Sequence, residues 1–365
     1  METYTIKAGD NLAAIALKLY GDANKWREIA DLNGIAGPSK IKAGQVLNLL
    51  PKKAATTGVE DAEITIEGKK AFYRFKDSTD KIFLGDLWKK GLSRIGSFNT
   101  ERFITDNTTL LSGLKLSKSE INTLLATSHN EGNLDSINTW DSMYLSWGMF
   151  QWTLGALSDQ GELPALLKVI KEKQPAAFKN YFSDFGIDIA PVTGSVTGYL
   201  MLNQVIQNTD TKKTAFRNNN WALRFALAGK NPAICAAQVL HAINRFNRFY
   251  FVPDPVFGGR SINDLLSSEY AASLLIDQHV NRPGHVKEVV ASALKQAGIT
   301  AAQLAAGTGT DELKVINKYL AIRRTFGNSP MTNSDTRAKV VKNFLDKGLI
   351  SAKKRSFISN RALRQ

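Results

Sequence analysis

The sequence predicts an α+β protein, with a small strand–helix–helix–strand unit at its N-terminus and a mainly helical remainder. Alternating and helical apolar patterns follow one another within residues 1–50, and from Asp86 onward apolar residues recur mostly at helical spacing. The chain has 365 residues, of which 43% are hydrophobic and 22% are charged, as in ordinary globular proteins. It can therefore bury a sizeable core, and wholesale disorder and fibrous repeats are excluded.

The N-terminal unit is predicted element by element. Residues 3–7 alternate as a short strand, and Asn11 is placed to cap a helix over Leu12–Tyr20. A second helix over residues 25–32 follows, and residues 46–49 form the closing strand. Between them, the pair Asn33-Gly34 ends the second helix, at a position that needs a positive φ.

A specific set of residues runs through nearly all of this segment: Tyr4 to Leu12, Ile15-Ala16, Tyr20-Gly21, Trp26, Ile29, Asn33 and Ile41 to Leu47. The set resembles a LysM module, which implies binding of peptidoglycan or chitin through N-acetylglucosamine. The glycan-binding residues that the resemblance implies lie in two loops: Gly9, Asp10, Asn11 and Leu12 in the first, and Asn33, Gly34 and Ile35 in the second. Docking of protein, as in LysM-like modules of phage baseplates and injection machines, is the alternative interpretation.

Charge and composition divide the rest of the chain. Residues 51–62 form a polar linker that begins with a proline, and residues 63–75 predict two short strands around Gly68. The formal net charge is +14, and residues 311–365 contain thirteen Lys or Arg against four Asp or Glu. We expect these last residues to form a basic helical region packed on the preceding domain. Such a charge favours polyanionic partners, namely nucleic acid, an acidic membrane face or a bacterial wall.

Several classes of function are excluded by what the sequence lacks. The single cysteine, Cys235, rules out an internal disulfide framework and a Cys-based zinc site. His129 and Glu131 form a His-x-Glu pair without the cysteines of a zinc deaminase, so we expect no metal and no other cofactor. No nucleic-acid recognition motif and no apolar run of membrane-spanning length is present, and we expect no N-terminal leader. We therefore expect no nucleic-acid partner, no membrane insertion and synthesis in the cytoplasm.

One carboxylate stands out after a predicted helix. Ser117 and Glu120 form a capping box, and the apolar face that follows continues to Glu131, where Gly132-Asn133 ends the helix. Burial and the negative end of the helix dipole would both raise the pKa of Glu131. A carboxylic acid that keeps its proton near neutral pH can protonate a glycosidic oxygen. The alternative is an ordinary exposed glutamate in a last helical turn.

The residues after Glu131 are rich in groups that bind sugars. Aromatic side chains that can stack on a sugar are Trp140, Tyr144, Trp147 and Trp152, and hydrogen-bonding candidates are Asn133, Asp135, Ser146 and Gln151. Aromatics at such spacing are also found in ordinary cores. Gln278 and Asn281, near the end of a later helix, either bind sugar or tie helices together.

Glu131, followed after a gap by Ser146-Trp147-Gly148-Met149-Phe150-Gln151, is similar to the signature of the lysozyme-like superfamily, in particular lytic transglycosylases and goose-type lysozymes. The resemblance implies that Glu131 is the general acid, that Gly148 lets the backbone pass beside the substrate, and that Gln151 begins a helix lining the cleft. Gly132 stands where that family has a serine. For the second carboxylate of a glycosidase, Asp141 is our first choice and Asp135 the alternative.

These observations predict a LysM domain at residues 1–50, a linker at 51–62, a lysozyme-like catalytic domain at 63–310 and a basic region at 311–365. The expected function is cleavage of β-1,4 bonds in peptidoglycan glycan strands, either by hydrolysis or by a transglycosylase reaction. A chitinase or chitosanase, and a non-catalytic baseplate or hub component, are the alternatives. Release at cell lysis and delivery by a phage tail or secretion machine, the latter with an immunity protein as partner, are two routes to the wall.

Overall fold

The computed structural model describes residues 3–20, 23–37, 40–49 and 62–364. About 49% of the chain is helix and 14% is strand in small sheets, which confirms the α+β class. Two compact units are present: unit 1 comprises Met1–Phe98 and Leu134–Ala237, and unit 2 comprises Asn99–Asn133 and Gln238–Gln365. The predicted catalytic domain at 63–310 is thus divided between them. The predicted linker, apart from Ala62, lies outside the described residues.

The N-terminal module has the predicted element order. Its elements are β1 (Thr3–Thr5), α1 (Leu12–Tyr20), α2 (Trp26–Leu32) and β2 (Val46–Asn48). The two strands pair antiparallel, with Tyr4 opposite Leu47. Its core is formed by the apolar faces of the helices and strands: Ile6, Leu12, Ile15, Ala16, Ile29, Ala30 and Leu47. A module of this size closes its own core because each element contributes one apolar face.

Seven short strands form an antiparallel sheet in unit 1, ordered as they occur in the sequence. They are β3 (Ala62–Glu67), β4 (Lys70–Phe75), β5 (Ile82–Trp88), β6 (Gly91–Arg94), β7 (Ile137–Asn138), β8 (Ser146–Trp147) and β9 (Trp152–Thr153). The predicted hairpin around Gly68, whose φ is +58°, is β3–β4. The chain is mainly helical from Asp86 onward, as predicted, but β6 to β9 are short strands within this part, and β6 pairs with β7 across a long stretch of sequence, as Ser93 does with Asn138.

The helices lie in both units. They are α3 (Thr100–Asp106), α4 (Thr108–Gly113), α5 (Lys118–Ser128), α6 (Leu163–Lys173), α7 (Pro175–Tyr181), α8 (Asp210–Lys213), α9 (Asn219–Ala228), α10 (Pro232–Asn244), α11 (Ile262–Leu265), α12 (Glu269–Asn281), α13 (Val286–Ala297), α14 (Ala301–Ala306), α15 (Gly309–Arg323) and α16 (Ser334–Asp346). A small sheet in unit 1 consists of β10 (Ile187–Ile189), β11 (Leu200–Leu202) and β12 (Val205–Ile206). Within the described ranges, no helix has the length and hydropathy needed to cross a bilayer.

Unit 2 is organised around α12, whose residues from Glu269 to His279 are all buried. Helices α5, α13 and α16 pack against α12, and α15 packs against α13 and α16. A helix that is buried on all sides must satisfy its polar side chains internally, and Asp277 near its end is one of these. The packing therefore brings Asp277, the end of α5 and helix α16 together.

Two local predictions differ from the structure. Helix α5 ends at Ser128, three residues before Glu131, because His129 and Asn130 turn the chain. Gln151, expected to begin a helix, instead lies in the turn between β8 and β9, with a φ of +49°. In both places a short hydrogen-bonded turn stands where the sequence predicts helix.

Candidate active site in unit 2

Glu131 lies in a tight turn directly after α5. The predicted capping box at the start of this helix is present: Ser117 Oγ accepts a hydrogen bond from the backbone N–H of Glu120 at 3.0 Å. At the other end, the backbone N–H of Glu131 donates to the carbonyl of Ser128 at 3.1 Å. The Glu131 side chain is 12% exposed. The turn thus holds a nearly buried carboxyl group just beyond the negative end of a helix.

A chain of ion pairs surrounds this carboxyl group. Arg337 on α16 contacts Glu131 Oε1 through Nη2, and the same nitrogen lies 2.7 Å from Asp277 Oδ1. The second oxygen of Asp277 lies 3.3 Å from Nη1 of Arg323, and both of these side chains are fully buried. Arg337 Nη1 also donates to the carbonyl of Asn130 at 2.8 Å, which pins the turn. Two arginines and two carboxylates therefore form one network, and buried charges of this kind need such partners.

Burial raises the pKa of Glu131 from its ordinary value of 4.5 to about 7. The positive charge of Arg337 lowers the pKa and is the largest opposing effect, whereas the negative charge of Asp277 raises it. Burial also acts on Arg337, but the two carboxylates beside it outweigh burial and raise the pKa of its guanidinium. A carboxyl group with a pKa near 7 exchanges a proton with its surroundings at neutral pH, as a general acid must.

A polar pocket of about 120 Å³ opens beside Glu131. Its lining residues come from α3 and the end of α5: Asn99, Thr100, Glu101, Ser128, His129, Glu131, Gly132 and Asn133. Glu101 Oε2 lies 2.7 Å from Nε2 of His129, and both side chains are partly exposed. The pocket therefore contains a second carboxylate, which the sequence analysis did not single out. Asn133, predicted to bind sugar, lines the same pocket.

The other predicted residues of unit 2 lie on α12. Gln278 is buried, and its Oε1 has no hydrogen-bond partner within the part of the chain that the structure describes. Asn281 donates from Nδ2 to the carbonyl of Asp277 at 3.0 Å, one helical turn earlier. Neither residue lines the pocket beside Glu131.

The two predicted partner carboxylates belong to unit 1. Asp135 is fully buried; it pairs with Arg94 at 3.1 Å and accepts hydrogen bonds from the backbone N–H groups of Ser97 at 2.8 Å and Phe98 at 2.7 Å. Asp141 accepts a hydrogen bond at 2.8 Å from Asn138 within its own loop. Asp135 therefore organises the protein interior, and Asp141 shapes a loop.

The remaining predicted residues of unit 1 are mostly interior. Tyr144, Ser146, Trp147 and Gly148 are buried, and Trp147 packs edge to face on Phe225 with ring centroids 5.2 Å apart. Gly148 has a φ of +80°, and its carbonyl accepts a hydrogen bond at 3.0 Å from the side chain of Gln151. Tyr144 lies in the connection before β8, whereas Gly148 and Gln151 form the β8–β9 turn, and the buried Trp147 offers no face for stacking on a sugar.

An exposed aromatic pair lies elsewhere in unit 1. Trp140 is 37% exposed, and Trp88 at the end of β5 is 55% exposed. Their ring centroids are 5.9 Å apart, with the ring planes tilted by 32°. Exposed tryptophans in contact are typical of binding surfaces. Trp88 was missed by the sequence analysis because only the pairing of strands brings it beside Trp140.

The first predicted glycan loop of the N-terminal module is well ordered by its own side chains. Gly9 has a φ of +87°. Asp10 Oδ2 accepts hydrogen bonds from the Tyr4 hydroxyl and the Lys7 backbone N–H, both at 2.8 Å. Asn11 caps α1 as predicted, through the backbone N–H of Ala14 at 2.8 Å. Leu12, in contrast, is fully buried in the core of the module.

The second loop is held by Asn33. Its side-chain Nδ2 donates to the carbonyls of Ile29 and Asn48, both at 2.8 Å, and its Oδ1 accepts from the Asn48 backbone N–H at 2.7 Å. Gly34 has the predicted positive φ, at +64°, and Ile35 is partly buried. Asn33 therefore joins the end of α2 to β2, and the exposed part of this loop is Gly34.

Metal ligands do not gather in the described residues: no group of three or more His, Cys, Asp or Glu side chains there could hold an ion. The groups available for chemistry beside the pocket are the Glu131 carboxyl group, the Arg337 guanidinium that contacts it and the Glu101 carboxylate. Sequence reasoning identified Glu131 but missed Arg337 and Asp277, which lie 206 and 146 positions further along the chain. A buried arginine partner leaves no local signal beside the residue that it pairs with.

Comparison with known proteins identifies the N-terminal module. Residues 4–49 match the LysM domain family. Esterase Rv1288 of Mycobacterium tuberculosis is 38% identical over 76 residues, which are 20% of this chain and 17% of that protein. Potassium binding protein Kbp of Escherichia coli is 44% identical over 48 residues, 13% of this chain and 32% of Kbp. The chain thus spans less than a third of the length of either relative. Residues 4–49 are a LysM domain, a peptidoglycan-binding module.

Proposed function

We propose that the chain is a peptidoglycan-degrading glycosidase, a muramidase or a lytic transglycosylase, in which Glu131 is the general acid. The observation that carries the proposal is the Glu131 carboxyl group, 12% exposed beside a polar pocket and with a pKa raised to about 7. Such a group is about half protonated at neutral pH and can donate its proton to the oxygen of a glycosidic bond.

Arg337 has a defined part in this proposal. Its charge keeps the pKa of Glu131 lower than burial alone would set it. After the proton has been donated, the same guanidinium stabilises the carboxylate that remains, since it is already in contact with Oε1. Asp277 and Arg323 hold Arg337 in place. Arg337 is thus proposed as a positioning residue, acting through Glu131.

We propose Glu101 as the second carboxylate. It lines the same pocket as Glu131, and its pairing with His129 orients it. Two carboxylates that flank the scissile bond are the usual requirement of glycosidases. Asp141 is the weaker candidate, because its carboxylate is hydrogen-bonded within its own loop in unit 1. In a transglycosylase, the acetamido oxygen of the substrate takes the place of the second carboxylate.

Two further features support a wall substrate. The LysM domain would hold the enzyme on peptidoglycan and so raise the local concentration of bonds to cleave. The net charge of +14 favours an acidic polymer. Lysis or injection by a phage tail or secretion machine, with an immunity protein in the latter case, would bring the chain to the wall. The name of the mycobacterial relative does not extend here, because the aligned segment covers only 17% of that esterase and the chain has no Gly-x-Ser-x-Gly turn.

The contact between Glu131 and Arg337 favours one other candidate, a non-catalytic wall-binding component in which this ion pair is only structural. Clearing of purified peptidoglycan suspensions separates the two. We expect the native chain to clear the suspension, Glu131→Gln to bind without clearing it, and Glu288→Gln, an exposed position on α13 in the same unit, to match the native chain. Equal turbidity with native chain and with Glu131→Gln would refute the enzyme. Parallel suspensions of chitin and chitosan test the chitinase or chitosanase alternative.

A further inference from the structure

A second pocket in unit 2 is larger than the one beside Glu131 and shares no residue with it. Its volume is about 410 Å³, within the range of small-molecule sites. It is lined by the segment around α11, by α14 and by the C-terminal segment: Arg260, Asn263, Asp264, Ser267, Ala305, Arg355 and Phe357. The proposed function of Glu131 makes no use of this pocket.

Two guanidinium groups face this pocket without partners of their own. Arg260 is partly exposed and Arg355 is exposed. Among the residues that the structure describes, neither side chain has a hydrogen-bond or ion-pair partner, and the side-chain amide of Asn263 has none either. The carboxylate in the lining, Asp264, is already engaged, since its Oδ2 accepts two hydrogen bonds at 2.8 Å from Ser261. The lining therefore carries two positive charges against one negative charge, and it presents unpaired donors.

The backbone around Arg355 is held in an unusual conformation. Its φ is +62°, in the left-handed region that residues with side chains rarely adopt. Ser267 maintains this conformation: its Oγ accepts a hydrogen bond from the Arg355 N–H at 3.0 Å, and its carbonyl accepts one from the Phe357 N–H at 3.0 Å. Strain that the surroundings enforce is common at ligand sites, where it fixes a side chain in position.

The floor of the pocket is rigid and aromatic. Phe357 is buried and packs on Phe246 and Tyr250, with ring centroids 5.0 and 5.4 Å away. The hydroxyl of Tyr250 donates to the carbonyl of Leu266 at 2.5 Å, which ties this cluster to the end of α11. The cationic side chains of Arg260 and Arg355 thus line a pocket whose base is firmly packed.

From this arrangement we infer that unit 2 contains an oxyanion-binding site, in which Arg260 and Arg355 together bind a ligand that carries a carboxylate or a phosphate. Guanidinium groups recognise both anions through paired N–H donors, and two of them in one pocket select a charged ligand over a neutral one. Asn263 supplies a further polar contact. A site of this kind gives the basic C-terminal region a role, because Arg355 belongs to the segment that carries thirteen Lys or Arg.

Two sources of such an anion exist in a bacterial wall: carboxylates of the stem peptides and phosphates of teichoic acids. Calorimetric titration of the full chain at low salt distinguishes them with probes that contain no sugar and so avoid the LysM domain. The probes are the dipeptide L-alanyl-D-glutamate, its diamide, which keeps the amino group but carries no carboxylate, and inorganic phosphate. We expect saturable binding of the dipeptide, of phosphate or of both, and none of the diamide. Tighter binding of the dipeptide would indicate stem-peptide carboxylates as the ligand, and tighter binding of phosphate would indicate teichoic acids.

Substitution then tests whether this pocket is the site. Arg260→Gln and Arg355→Gln should each weaken binding of the anion by about tenfold or more. Arg355→Lys should weaken it by less, because lysine keeps the positive charge and loses only the paired N–H donors of the guanidinium group. Arg324→Gln, an arginine that is 60% exposed and outside the pocket, is the matched control and should leave affinity unchanged. Urea unfolding midpoints confirm that the variants fold. The inference would be overturned if the native chain bound neither the dipeptide nor phosphate saturably. It would also be overturned if Arg260→Gln and Arg355→Gln both bound the anion as tightly as the native chain does.

Discussion

Replacing Glu131 by glutamine should stabilise the protein relative to the native chain as the pH rises. The pKa of this carboxyl group is raised from 4.5 to about 7 in the folded chain. Below pH 4.5 the group is protonated in both the folded and the unfolded chain, so its ionisation does not change the free energy of unfolding. Between pH 4.5 and about 7 the unfolded chain releases the proton first, so the folded chain loses stability; above that range the loss is complete.

The size of the effect follows from the same values. The interval from 4.5 to about 7, at about 1.4 kcal/mol for each pH unit, corresponds to about 3 kcal/mol of folding free energy. Glutamine is neutral at every pH and lacks this dependence. The free energy of unfolding of Glu131→Gln minus that of the native chain should therefore increase by about 3 kcal/mol between pH 4.5 and pH 8, whatever its value at pH 4.5.

Equilibrium urea unfolding, followed by circular dichroism at pH 4.5, 6 and 8, measures this difference. Glu288→Gln, the exposed position on α13, reports the effect of the same substitution away from the network. A difference between Glu131→Gln and the native chain that stays constant from pH 4.5 to 8, or that falls, would refute the reasoning. That result would mean that Arg337 outweighs burial and keeps Glu131 ionised.

Three other predictions concern residues that the structure places in defined roles. Arg337→Met should lower the free energy of unfolding of unit 2 by about 3–5 kcal/mol in urea unfolding, because it breaks a buried ion pair. It should also move the alkaline limit of activity to higher pH, because it removes the charge that lowers the pKa of Glu131. An unchanged alkaline limit would contradict this. Asp135→Asn should cost about 3–5 kcal/mol, since it leaves a buried arginine unpaired, and a loss below about 1 kcal/mol would argue against that role. Chito-oligosaccharide binding should have one component from the LysM domain and a second from Trp88 and Trp140; Trp88→Ala and Trp140→Ala should each weaken the second about fivefold in a fluorescence titration while barely changing stability, and a second component that is missing or is unaltered in both variants would exclude this surface.

Local features of the sequence predicted local structure well. The cap at Asn11, the helix Leu12–Tyr20, the turn at Gly34 and the capping box before α5 all depend on residues within a few positions of one another. Each is determined by backbone conformation and short-range hydrogen bonds, which a single sequence makes visible. The LysM domain could be identified for the same reason, since its whole core lies within one short segment.

The rest depended on contacts between distant residues. Strands β7 to β9 have two residues each and no alternation of their own, so only pairing with β6 and with one another defines them. At the candidate site, the position of Glu131 was predicted, but Arg337 and Asp277 come from α16 and α12 and are brought there by helix packing. Trp147 looked like a sugar-stacking residue because its burial against Phe225 is invisible in sequence.

Mass analysis of peptidoglycan fragments is the most direct test of the claim that Glu131 cleaves glycan strands. Digests by the native chain should contain new glycan ends, with 1,6-anhydro ends for a transglycosylase or reducing muramic ends for a hydrolase, and digests by Glu131→Gln should contain neither. Glu101→Gln should abolish hydrolysis if that carboxylate positions the water. Absence of new ends with the native chain, or equal amounts with Glu131→Gln, would contradict the account and leave a protein that binds the wall without cutting it.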